Sequence, residues 1–145
     1  MALTDITSAN AIVMIQADEI IPQPVRLENF SVDAIAQTGA YKVAEARKGI
    51  DGNMAAGYVP SPVELNLNLE ANTPSERLLY RLMDAQVRNE HPYNTTITIR
   101  IPAQRSTYTY IDGVLAEGIA MNNLGTLQEK SSWKFQFKDV SRQDD

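Results

Sequence analysis

Val63-Glu-Leu-Asn-Leu-Asn-Leu-Glu70, followed at once by Thr73-Pro-Ser-Glu76, decides the fold class of this chain. Side chains alternate across a strand, so Val63, Leu65, Leu67 and Leu69 share one face and Glu64, Asn66, Asn68 and Glu70 the other. Thr73 and Glu76 then form a capping box. The Thr73 hydroxyl can accept from the Glu76 amide, and the Glu76 side chain can reach back. Pro74 takes the first helical position, where a missing N–H costs nothing. Leu78, Leu79, Leu82, Met83 and Val87 continue as an apolar stripe at helical spacing, and His91-Pro92 ends it. Arg77, Arg81, Asp84 and Arg88 mark the solvated side, with Asp84 and Arg88 spaced for an i,i+4 pair.

Two further segments repeat the alternation. Ile97, Ile99 and Ile101 oppose Thr96, Thr98 and Arg100, and Trp133, Phe135 and Phe137 oppose Lys134, Gln136 and Lys138. β-Branched and aromatic enrichment supports both as strands. Asn10–Gln16 and Pro24–Asp33 read as weaker strands, and Ser106–Met121 reads as a hairpin turning at Asp112-Gly113. On its second half Leu115, Glu117, Ile119 and Met121 share a face. The chain is thus expected to be mainly β with one helix, an antiparallel sandwich or barrel-like subunit. One domain over residues 1–145 is expected, with 141–145 as a frayed acidic tail.

Composition excludes several functions. The 145 residues hold no Cys, one His (His91), 13 Lys or Arg and 18 Asp or Glu, for a formal charge of −5. Thiolate metal sites and cysteine nucleophiles are absent, and a Ser-His-Asp relay is disfavoured. His91 reads as a partner of the helix C-terminus. Glu64 and Glu70 lie ~20 Å apart along one strand, too far for a carboxylate pair. No phosphate-cradling glycine motif follows a strand. No cofactor and no catalytic residue are expected, and a structural or binding protein outranks an enzyme. No leader is evident, and Ala11–Ile15 is far shorter than the ~20 apolar residues of a membrane helix, so no membrane partner is expected.

Residues 39–59 stand apart. Gly39 to Gly57 holds four of the seven glycines, and three basic residues against two acidic ones. About twenty residues without periodicity are unusual inside a domain and point to a binding loop. Tyr41, Val43, Ile50, Met54 and Tyr58 would lack partners in solvent, so this segment is expected to order against another molecule.

These pieces together resemble a tail tube protein of contractile-tailed bacteriophages, a fold shared with the haemolysin-coregulated proteins of the type VI secretion tube. The resemblance spans Ala11 to Val140 and is carried by Pro60–Glu76, Ile97–Pro102, Tyr110–Gly118 and Trp133–Asp139. It implies a virion structural protein, assembled in the host cytoplasm, that forms homo-hexameric rings stacked into a tail tube. The sheath, baseplate and tape-measure proteins are the implied partners, and double-stranded DNA passes through at genome ejection without specific binding. The segment 39–59 becomes an inter-ring arm using Tyr41, Lys42, Arg47, Lys48, Ile50, Asp51, Met54 and Tyr58. Glu64, Asn66, Asn68 and Glu70 become lumen-facing. The implied lumen strands, 24–33, 60–70 and 106–121, give an acidic or neutral wall in the last two, which would let DNA slide past. A solvated outer face remains the plain alternative for Glu64 and Glu70. A tail terminator, a baseplate ring, a secretion-tube component and a small ligand-binding barrel remain alternative functions.

Overall fold

A computed structural model describes residues 10–28, 30, 36–58, 61–122 and 124–144. In chain order they form β1 (Ile12–Ala17), β2 (Ile21–Leu27), β3 (Ala36–Thr38), β4 (Ala44–Lys48), β5 (Met54–Tyr58), β6 (Val63–Leu69), α1 (Pro74–Asn89), β7 (Thr95–Ile101), β8 (Ser106–Glu117) and β9 (Ser131–Asp144). Seven strands make one sheet in the order β2-β1-β7-β8-β9-β6-β3, with every pairing antiparallel. β4 and β5 form a separate ribbon. The expected mainly β fold with one packed helix is present, and the sheet stays open rather than closing into a barrel.

The sheet nevertheless curls. β2 lies at one edge and β3 at the other, and only residues 28–35 separate them in sequence. A flat sheet would hold β2 and β6, five strand steps apart, about 24 Å from each other, whereas three residues of chain past Leu27 span at most ~11 Å. Phe30 already bridges to Leu69 of β6, at the far side. Pro22 and Pro24 sit in β2, where an edge strand tolerates a missing donor. β2 begins at Ile21, earlier than the expected Pro24, because a tight turn with Glu19 at φ 67° joins it to β1. Of the expected strand residues beyond Leu27, Asn29 and residues 31–33 lie outside the described residues.

One face of the sheet is apolar and carries the helix. Val13, Ile15, Val63, Leu65, Leu67, Leu69, Ile97, Trp133, Phe135 and Phe137 are buried together with Leu79 and Leu82 of α1. Each large side chain contributes ~1.5–3 kcal/mol by leaving water. Tyr80 meets Trp133 edge-on at 4.9 Å, and the Gln86 amide donates to the Leu115 carbonyl at 3.0 Å. These contacts seat α1 against the β8–β9 half of the sheet. The helix starts as its capping box requires: the Glu76 amide donates to the Thr73 hydroxyl at 3.4 Å. The Glu76 carboxylate reaches one residue further back than expected, accepting from the Asn72 amide at 3.1 Å. Val87, expected in the apolar stripe, is 70% exposed, and its neighbour Gln86 is the residue of that turn that faces the sheet.

Two expectations at β8 and β9 are corrected. Asp112-Gly113 makes no hairpin turn; β8 runs straight through it as a bulge. Ile97 pairs with Tyr110 and Thr95 with Gly113, so β8 carries one residue more than β7 across this interval. Asp112 adopts the positive φ of 54° that the dipeptide signals, but in service of the bulge. Gly113 is required there, since a Cβ would lie 2.2 Å from a Phe137 ring carbon. The other correction concerns the C-terminus. Residues 141–144 are not a frayed tail: β9 stays paired with β8 up to Ser106↔Asp144. The Asp144 carboxylate accepts from the Ser106 hydroxyl and, at 3.0 Å, from the Arg142 guanidinium. Those hydrogen bonds, Ser106 first, hold its pKa below the usual aspartate range.

Candidate functional site

The segment expected to be an irregular loop is a two-stranded ribbon. β4 and β5 pair from Ala44↔Tyr58 to Lys48↔Met54. At the tip the Gly49 amide donates to the Asn53 carbonyl at 2.7 Å, and Asp51 accepts from the Asn53 amide at 3.0 Å. Gly52 supplies φ +88°. At the base the Ser61 hydroxyl donates to the Lys42 carbonyl at 2.7 Å. Every residue from Gly39 to Tyr58 is exposed, which is why no alternation marked these strands in the sequence. The side chains still sort by face. Lys48, Met54, Tyr58, Ala44, Ala46 and Ala56 lie on one side, and Glu45, Arg47, Ala55 and Gly57 on the other. Ile50, at the tip, is fully exposed. The eight residues expected at an interface all lie on the 39–59 arm: Tyr41 and Lys42 just before β4, Arg47 and Lys48 in β4, Ile50 and Asp51 in the tip, Met54 and Tyr58 in β5. A lone ribbon of this kind is marginal in water, and its small residues let another backbone approach closely.

The second feature is the polar face of the sheet. Glu64 and Asn66 point away from the core as expected and are partly exposed, whereas Asn68, on the same side of β6, is buried at 4% exposure, and Glu70 lies just past the end of β6. β9 separates β6 from β8. Any wall made by β6 and β8 therefore includes Ser132, Lys134, Gln136 and Lys138. The wall is not free of cations, contrary to the reading from β6 and β8 alone. Lys134 sits between two carboxylates, 3.3 Å from Glu64 and 4.0 Å from Glu117. Gln136 approaches Glu64 at 3.5 Å, and Ser132 donates to Asn68 at 2.6 Å. The register break between Leu115 and Glu117 is what brings Glu117 to this side. Leu115 is buried and Glu117 faces Lys134, so the two do not share a face.

A third feature was not anticipated. Glu76 is buried, and its second oxygen accepts from Asn122 at 3.0 Å and from Ser131 at 2.7 Å. The Trp133 indole donates to the Ser131 hydroxyl at 2.9 Å. Tyr80 donates to Asn122 at 3.3 Å, and burial, then the Glu76 charge, raises its pKa. This network pins the β8–β9 connection to the helix, and Met121, Leu124 and Leu127 project from it into solvent. The capping box was the legible part of it. On the helix, Arg81 donates to the Ile20 carbonyl at 2.9 Å and so braces the β1–β2 turn rather than standing in solvent alone. His91 packs edge-on against Tyr93 at 5.4 Å. Among the described residues no helix is long and apolar enough to cross a membrane, and no group of three His, Cys, Asp or Glu could hold a metal ion.

The curled antiparallel sheet, the single helix and the projecting ribbon together define the fold found in tube, cap and baseplate assemblies of contractile injection systems. A chain of the anti-feeding prophage cap, described as its tube-terminating cap, superposes with a TM-score of 0.66 at 11% identity, over 100% of this chain and 95% of the other. A chain from the sheath/tube terminator of the PVC extracellular contractile injection system, in its extended state, gives 0.66 at 12% identity over 99% of both. One from the anti-feeding prophage baseplate gives 0.63 at 12% over 99% and 98%. At such identities the likeness is one of fold. The chain itself belongs to the family described as tail fiber protein gp32, whose model matches residues 4–141. No curated protein matches the sequence. The family description speaks of a fibre, whereas the shared fold is that of chains in tubes, caps and baseplates.

Proposed function

We propose that this chain is a structural subunit of a bacteriophage tail tube. It self-associates into six-membered rings that stack into a hollow conduit for the genome, and it performs no catalysis. The observation that carries this reading is the exposed arm. It places Tyr41, Val43, Ile50, Met54 and Tyr58 in solvent on a ribbon that has no core of its own. An apolar ribbon of this kind is stabilised by lying against another chain. Among the described residues β2 and β3 each pair along one side only, which leaves the other side for lateral contact. The sheath, baseplate and tape-measure proteins would be neighbours in the tail, which forms in the host cytoplasm, and duplex DNA would pass through without being held. The domain would then be the whole of residues 1–145, with 39–59 as the inter-ring arm.

A ring that ends the tube is the second reading. Full-length superposition on chains of a tube-terminating cap and a sheath/tube terminator favours it. Deleting Lys48–Gly57 separates the two. A tube subunit without its arm should close rings that no longer stack, seen by electron microscopy as single annuli. Normal tubes from the deletion variant would refute the role of the arm. Annuli from the intact protein that never lengthen would move the reading to a terminating ring.

A further inference from the structure

We propose that Glu64 and Glu117 act as a charge mask on Lys134, which keeps this ammonium, in the middle of the polar face of the sheet, from gripping duplex DNA by its phosphates. This rests on the reading above, in which that face lines the conduit. The need for a mask follows from topology. β9 lies between β6 and β8, so a wall built on them adds the Lys134 ammonium to that of the exposed Lys138 in every subunit, repeated around every ring and along the stack. A Lys that neutralises a phosphate releases a counterion and strengthens binding, and a repeated array multiplies the effect along the duplex. A conduit lined this way would retain the polymer it has to release.

The geometry answers that need. Lys134 is flanked from both neighbouring strands, with Glu64 of β6 at 3.3 Å and Glu117 of β8 at 4.0 Å. Lys134 is about a quarter exposed at its side chain and Glu117 nearly three quarters. A phosphate approaching the ammonium therefore meets a more exposed carboxylate first. The β-bulge-like register break at Leu115/Glu117 acquires a purpose here. Without it, residue 117 would fall on the face of Leu115, against the core, and Lys134 would keep only one carboxylate. Gln136 approaches the Glu64 carboxylate at 3.5 Å, which steadies it toward β9.

The test is duplex binding by the purified full-length chain at several protein concentrations and a series of salt concentrations, read by fluorescence anisotropy of a labelled 30-base-pair DNA. Glu64→Gln and Glu117→Gln together preserve shape and remove both charges. The double variant should bind duplex more tightly than the parent. Its affinity should fall ~3-fold per engaged subunit between 50 and 200 mM salt, the value for one added phosphate contact each. Adding Lys134→Gln should abolish the gain. No gain in the double variant, or an equal gain in the triple variant, would overturn the mask. A virion arm separates this from the conduit reading. Virions carrying the double substitution should eject their genome slowly. Duplex capture by the isolated variant with normal ejection would uphold the mask and refute the placement of this face in the lumen.

Discussion

Replacing Glu76 by Ala should cost the fold more than any exposed charge would, and should loosen one connection before the rest. The carboxylate is 3% exposed and accepts from three donors: the Asn72 amide at 3.1 Å, the Asn122 amide group at 3.0 Å and the Ser131 hydroxyl at 2.7 Å. Asn122 keeps its bond to the Glu129 carbonyl at 2.8 Å, and Ser131 can turn to the Leu69 carbonyl at 3.5 Å. The Asn72 amide is left with water, and the second Asn122 proton is left without any partner in a buried place. An orphaned buried donor costs ~1–3 kcal/mol, and loss of the reciprocal cap about 1 kcal/mol more. The sum is about 3 kcal/mol, or on the order of 10 °C in Tm for a domain of this size. Urea unfolding followed by tryptophan fluorescence measures it, because Trp133 touches the network. Hydrogen exchange should show residues 118–130 opening first, since Asn122 tethers them. A destabilisation below ~0.5 kcal/mol, or unchanged protection of that connection, would refute the structural role given to Glu76.

Gly113→Ala should destabilise the fold by ~1–3 kcal/mol in the same assay. The added Cβ falls 2.2 Å from the Phe137 ring and 2.6 Å from the Gln136 carbonyl, which is backbone and cannot swing away. Stability should also fall as pH rises above ~10. Tyr80 and Tyr110 are both raised above the ordinary tyrosine value, first by burial and then by Glu76 and Tyr108 respectively. Their native forms hold the proton more tightly than the unfolded chain does. The contribution is therefore intact below the unfolded pKa of ~10 and is lost as pH climbs through the folded values. Tyr110→Phe should flatten that alkaline limb of a Tm-against-pH curve. Ile50→Ser with Met54→Ser should leave Tm unchanged within ~1 °C, because both side chains project from the body, while abolishing any self-association of the parent seen by analytical ultracentrifugation.

The elements that the sequence made legible are those with one buried face. Val63–Leu69, Thr95–Ile101 and Trp133–Phe137 alternate because one side of each strand packs on the core and the other does not. The helix was legible from its cap and its stripe. β4 and β5 carry no such signal because both of their faces are in solvent, so composition alone could mark them as a place where another molecule binds. Asp112-Gly113 misled because a positive φ serves a bulge as well as a turn, and only the length of the pairing strands distinguishes the two. Val87 fits the helical period, yet Gln86 beside it is the residue that turns to the sheet, a difference of one position that the period does not resolve. Lys134 was visible as an outward residue, but its place between Glu64 and Glu117 depends on strand order. That order joins residues some seventy positions apart, which no local pattern encodes. The buried side of Glu76 is the same case: the capping box is local, while Asn122 and Ser131 arrive from the other end of the chain.

Self-assembly is the central claim, and electron microscopy of the purified intact chain across a rising concentration series, with and without tail-derived seeds, tests it most directly. The account predicts six-fold rings and hollow tubes with the arm bridging successive layers. Monomers at every concentration, unaltered by seeds, would contradict it.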